Sequence, residues 1–249
     1  MNMKKEWDQR ASKNAYHFVS TFREEWDDES FYRWGEIQTQ AVIDKFFEDL
    51  KIDPSDLIVL EIGCGAGRMS RALASRFRLV YAYDVSDRYI QIAKKKNSHL
   101  QNVVFHSNDG LSFPEIADES IDFCFSGWTM RHMPSKEVVI WNIKEMSRVL
   151  KNGGLYKIDP PIGTTRARII SKMVKFVLPL IDRHNYKLKL TPTYRGTLFT
   201  EKEISAILSR NNLSVNIVVE DDGYKRFYGK RSMNKWFYGK KEKKYPSMF

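Results

Sequence analysis

Three stretches of this 249-residue chain combine residue types and spacing that could do chemistry. The first is residues 57–68, LIVLEIGCGAGR, where Gly63, Gly65 and Gly67 alternate directly behind an apolar run. Glycines there allow a sharp turn, and a ligand can approach the backbone without meeting a Cβ. A helical pattern begins directly behind them, with unpaired N–H groups and a positive dipole end that favour a carboxylate or phosphate. The second is Asp84, seventeen residues past Gly67 at the end of the apolar run 79–83. An acid so placed can accept hydrogen bonds from both hydroxyls of a ribose, or it can simply cap a turn. The third is the run 126–134, SGWTMRHMP, behind the apolar segment 121–125. His132 in that run carries an imidazole, a group suited to removing a proton near neutral pH, or it could only line a pocket. No spacing of His, Cys or acidic residues matches a metal site, so no metal is expected.

A dinucleotide fingerprint reads G-x-G-x-x-G, but here the spacing is G-x-G-x-G and Arg68 stands where the third glycine belongs. Glu61, two residues before the first glycine, suits a ligand with an ammonium group near the turn. The methionine part of S-adenosyl-L-methionine carries such a group. In these residues the chain resembles motif I of the class I S-adenosylmethionine-dependent methyltransferases, and the likeness extends over roughly residues 52–219. The resemblance implies S-adenosyl-L-methionine as cofactor, S-adenosyl-L-homocysteine as product, and a cofactor site at Glu61, Gly63, Cys64, Gly65, Gly67, Asp84, Val85, Asn108, Asp109, Gly110 and Ser126. In that family an acid at the position of Asp109 meets the adenine amino group, although Asp-Gly is also a routine turn pair. The family usually has proline where Asn152 stands, a departure that leaves the expected helix stop intact.

Positioning these residues requires alternating strands and helices. Strands are predicted at 57–62, 79–84, 102–106, 121–126 and 155–158, with helices at 66–76, 87–97 and 135–150 between them. Ser86 is placed to cap the second helix, and glycines 153 and 154 to end the third. Such alternation indicates an α/β, Rossmann-like doubly wound sheet with helices on both faces. The resemblance further implies a seven-stranded sheet, mostly parallel with an antiparallel last strand. Strand six is expected at 213–219 and the antiparallel seventh at 224–228. Thr200 and Glu203 form a capping box for a helix between strands five and six. The chain reads as a single domain over 1–249. Residues 1–50 form an N-terminal helical cap, with a second helix at 36–50 and the acidic cluster Glu24 to Glu29 as a solvated loop. Residues 163–199 form an inserted segment, read as a substrate lid, with a packing helix or a membrane-surface helix as the other readings.

The net charge is +10, and residues 223–249 hold nine Lys or Arg against the single acid Glu242. With no apolar leader and only two cysteines, Cys64 and Cys124, a cytoplasmic protein with free thiols is expected. The preferred function is methyl transfer to a small molecule, with a sugar or natural-product hydroxyl as the example. The alternative is an RNA methyltransferase using the basic C-terminal segment, whose aromatics could stack on bases. A non-catalytic cofactor-binding scaffold is the third reading. Neither the acceptor nor the oligomeric state is fixed by these residues.

Overall fold

The run at 57–62 is apolar on both faces, so a strand formed from it must be covered on both. In the computed structural model, which describes residues 3–163, 198–215, 217–220 and 235–241, that strand is β1 (Ile58–Ile62). Val59, Leu60 and Ile62 are buried. β2 (Leu79–Asp84) pairs parallel to it, with Ile58 opposite Leu79 and Ile62 opposite Tyr83. β3 (Val103–Ser107) pairs parallel to β2, with Asp84 opposite Ser107. Parallel pairing in this register brings the glycine turn, Asp84 and the residues after Ser107 to one edge of the sheet. The crossovers between these strands carry α4 (Arg68–Ala74) and α5 (Asp87–Lys96). α4 is shorter at both ends than the predicted 66–76.

Ahead of the sheet lie α1 (Met3–Val19), α2 (Asp28–Thr39), a π-helical turn (Gln40–Asp44) and α3 (Lys45–Leu50). The acidic cluster is therefore not a loop throughout. Asp27 caps α2 by accepting from the Ser30 amide at 2.7 Å, and Asp28 and Glu29 occupy its first turn. Carboxylates there complement the helix dipole. α3 sends Phe46 and Phe47 against Phe123, with ring centroids 5.5 and 5.1 Å apart.

The chain divides into two compact units, Met1–Gly110 with Ile121–Phe123, and Leu111–Ser120 with Cys124–Phe249. The strands of the first unit run in the order β3-β2-β1, and β4 (Ile121–Ser126) has residues in both units. The second unit continues with α6 (Lys136–Val149), β5 (Leu150–Ile158), α7 (Glu201–Arg210), β6 (Ile217–Glu220) and β7 (Lys235–Lys240). Val139, Ile143, Met146 and Val149 form the buried face of α6. α6 does not stop at a glycine cap. Leu150 is already extended while its amide still bonds to Met146, and Gly153 lies inside β5 with φ 79°. The capping box on α7 forms as expected, with Thr200 Oγ1 accepting from the Glu203 amide and Glu203 accepting from the Thr200 amide. β7 runs antiparallel to both β5 and β6. It is formed by Lys235–Lys240; the expected strand at 224–228 lies outside the described residues, as does nearly all of the segment 163–199.

Candidate functional site

The glycine turn is fastened to the end of β2. Gly63 and Cys64 both donate their amides to the Tyr83 carbonyl, at 2.7 and 2.9 Å. Gly63, Gly65 and Gly67 all have positive φ (80°, 53° and 77°), a region that side chains with a Cβ rarely adopt. Close approach adds to this. A Cβ on Gly65 would stand 2.7 Å from Val19 at the end of α1, and one on Gly67 would stand 2.6 Å from the Asn97 amide nitrogen. Gly67 therefore supplies the tight helix-to-strand packing, and the position after it can hold a large side chain. Arg68 uses that freedom. Its side chain is buried and donates to Gln38 of α2, while its carbonyl faces Gly35, where a Cβ would come within 2.4 Å.

Glu61 is 4% exposed and accepts a 2.5 Å hydrogen bond from Ser70 Oγ on α4. Burial pushes its pKa up to about 7, with Ser70 and the Arg68 charge acting in the opposite direction. Asp84 is half-buried. Its two oxygens accept from the Gly65 and Ser86 amides, both at 2.9 Å, so one carboxylate ties the glycine turn to the start of α5. Desolvation by the surrounding protein raises its pKa to about 6 against those two bonds. Val85 follows it half-buried, and the Asn108 amide bonds to the Asp84 carbonyl at 3.1 Å. Asn108 Oδ1 accepts from the Gly110 amide at 3.0 Å, Gly110 has φ 80°, and Asp109 between them is exposed. Cys64 is buried, and desolvation drives its thiol pKa well up, which removes it as a nucleophile.

In the second unit, β4 ends at Ser126, whose side chain is fully buried. Trp128 then takes a left-handed conformation, φ 60°, and a single 3-10 turn (Met130–His132) follows. His132 is half-buried on that turn. The loop is held by Asp159, directly after β5. Asp159 Oδ2 accepts from the Trp128 amide at 2.9 Å and from Arg131 Nη2 at 2.7 Å.

Residues 59–154 match the family described as methyltransferase domain. Over that stretch, which is less than half of the chain, the sequence is similar to methyltransferases. It is 28% identical over 115 residues to phosphoethanolamine N-methyltransferase 1 of Caenorhabditis elegans, covering 44% of this chain and 24% of that protein. It is 27% identical over 130 residues to demethylmenaquinone methyltransferase of Staphylococcus haemolyticus, covering 50% of this chain and 53% of that one. The chain thus spans about half the length, or less, of these curated relatives. Its fold is similar to that of magnesium protoporphyrin IX methyltransferase from Synechocystis, solved with bound SAH. The TM-score is 0.66 at 16% identity, over 96% of this chain and 98% of that one. At that identity the likeness is one of fold.

Of the expected site residues, Glu61, the glycine turn, Asp84, Val85, Asn108, Asp109 and Gly110 belong to the first unit. Ser126 and His132 belong to the second. Two functional-looking residues escape a sequence reading. Asp8 of α1 accepts from Ser86 Oγ at 2.6 Å and from the Arg88 amide at 3.0 Å, so the N-terminal helix caps α5 from outside. Nothing at position 8 marks it before the fold is known. Asp159 does carry a signal, an acid closing an apolar strand just before Pro160 and Pro161. Among the described residues no group of three His, Cys, Asp or Glu could hold a metal ion, and no helix is long and apolar enough to cross a membrane.

Proposed function

We propose that this chain is an S-adenosylmethionine-dependent methyltransferase that acts on a small molecule. The observation that carries the proposal is Asp84, which bridges the Gly65 and Ser86 amides beside a turn of three left-handed glycines. Each carboxylate oxygen has a second lone pair, so Asp84 can still accept from a ribose hydroxyl on either oxygen. Glu61 is the buried acid near the end of β1, two residues before that turn, and a ligand ammonium would favour its ionised form over the protonated one. Asn108, Asp109 and Gly110 would meet the adenine, with Asp109 exposed to reach its amino group. The donor set therefore fits the cofactor. When bound, S-adenosylmethionine supplies a methyl group on a sulfonium, already activated for displacement.

The protein's own share of the work is alignment, which can lower a bimolecular barrier by about 7–11 kcal/mol. The names of the relatives point to small acceptors of different kinds, which supports a small molecule and leaves its class open. A hydroxyl of a sugar or natural product is our reading, and His132 is the residue we would test as its base. The test is calorimetry of the full chain with S-adenosylhomocysteine and with NADH. We expect the first to bind and the second not to; NADH binding without S-adenosylhomocysteine binding would overturn the proposal.

A further inference from the structure

β4 and β5 are neighbours in the sheet, and Ser126 closes β4 while Asp159 stands directly after β5. Both side chains are buried, at 0% and 1% exposure. Ser126 Oγ and Asp159 Oδ1 have no hydrogen-bond partner among the described residues. Buried polar atoms are nearly always paired, and leaving one unpaired is costly, most of all on a charged group. Oδ2 of the same carboxylate is held by the Trp128 amide and by Arg131. In open α/β sheets the carboxyl ends of the strands are where ligands bind. Two unsatisfied polar atoms at the ends of adjacent strands are therefore suited to a ligand.

We propose that Asp159 Oδ1 and Ser126 Oγ form a subsite for a hydrogen-bond-donating group, an amine or a hydroxyl, on the molecule to be methylated. The proposal deepens the methyltransferase reading and rests on it. A carboxylate oxygen only accepts, so it selects for N–H or O–H. A carboxylate or phosphate at this point would set two anionic groups together and is excluded. Ser126 Oγ can donate or accept and so serves either partner. Arg131 already balances the charge of Asp159, which lets the subsite take a neutral donor as well as a cationic one.

The test follows the backbone amide resonance of Trp128, whose N–H donates to the same carboxylate. The isotopically labelled full chain, saturated with S-adenosylhomocysteine, is titrated with ethanolamine, ethylene glycol and acetate. Ethanolamine or ethylene glycol should move the resonance and acetate should not; which of the two acts better separates an amine from a hydroxyl. Asp159→Asn and Ser126→Ala should each weaken the apparent affinity at least fivefold. If Asp159→Asn loses the dispersed spectrum of a folded chain, Ser126→Ala carries the comparison, because its hydroxyl holds nothing in place. The proposal is overturned if no probe moves Trp128, if acetate moves it equally, or if the folded variants respond as the unaltered chain does. Failure of S-adenosylhomocysteine to bind, with Trp128 still responding to ethanolamine, would defeat the methyltransferase reading and leave the subsite standing.

Discussion

At the scale of single residues, the site is dominated by carboxylates held above their ordinary pKa. Glu61 keeps its proton up to about pH 7, where a free glutamate releases it near 4.5. Between those values the folded chain binds a proton that the unfolded chain has lost, so stability falls as pH rises through this window. The full effect is on the order of 3 kcal/mol, present above about pH 7 and absent below about 4.5. Urea unfolding at pH 5 and pH 7.5 should therefore differ less in Glu61→Gln than in the unaltered chain. Equal differences in the two proteins would mean that Glu61 is ionised throughout. Asp84 calls for another measurement, because it holds both the glycine turn and the start of α5. Asp84→Ala should weaken S-adenosylhomocysteine binding by about 1.5–3 kcal/mol, through loss of charge-assisted hydrogen bonds. Undiminished affinity in calorimetry would remove Asp84 from the cofactor site. Both acids were legible in the sequence because each borders a strand that the apolar pattern marks clearly. Asp8 was not, since its partners Ser86 and Arg88 are about eighty positions away.

At the scale of elements, periodicity located β1, β2, β3 and β4 to within a residue or so, and the Ser86 cap and the capping box of α7 formed as read. The failures have physical causes. α2 begins at Asp28 because Asp27 caps it, a signal present in the sequence but hidden within a run of acids. The π-helical turn at Gln40–Asp44 shifts the helical phase, which a fixed period of 3.6 cannot show. At Leu150 the chain passes from helix to strand in one residue, so glycines 153 and 154 lie beyond any helix end. Of the inserted segment, only the ends are described. They meet, with the Gly163 amide donating to the Phe199 carbonyl at 2.9 Å. Arg68 shows how packing can override a motif. The dinucleotide pattern wants glycine there for close packing, but here Gly35 of α2 yields the space. Alanine is the better helix former by about 1 kcal/mol, yet a Cβ at Gly35 would meet the Arg68 carbonyl at 2.4 Å. Backbone cannot swing aside as a side chain can, so overpacking should win. Gly35→Ala is expected to lower unfolding stability by about 1–3 kcal/mol, and a more stable variant in thermal melts would contradict the packing argument.

At the scale of the whole molecule, the open question is what the net charge of +10 serves. A chain that tracks a nucleic-acid backbone needs cations free to meet phosphates. Here part of the basic C-terminal stretch belongs to the fold. Lys235–Lys240 is strand β7, hydrogen-bonded on both sides, to β5 and to β6. Lys241 is largely buried at its side chain, where Nζ donates to the Leu150 carbonyl at 2.9 Å and pairs with Glu119 at 3.1 Å. Its substitution would test stability and not recognition, so it is left out of the charge experiment. The triple variant Lys240→Gln, Lys243→Gln, Lys244→Gln separates the two functions. If RNA is the acceptor, affinity for an RNA oligomer should fall steeply with salt, because each neutralised phosphate releases a condensed counterion. The slope of log affinity against log salt should then shrink by about 0.7 to 0.9 for each lysine that meets a phosphate, or about 2 to 3 for the three together. If the acceptor is a small molecule, the same variant should bind S-adenosylhomocysteine as the unaltered chain does. Its RNA binding should be weak in both forms at physiological salt. We expect this second result, since the residues proposed for the cofactor lie between Glu61 and Gly110, while Lys240 ends β7 and Lys243 and Lys244 come after it in the sequence. A tight RNA complex that loses its salt dependence in the triple variant would reverse the order of the two readings.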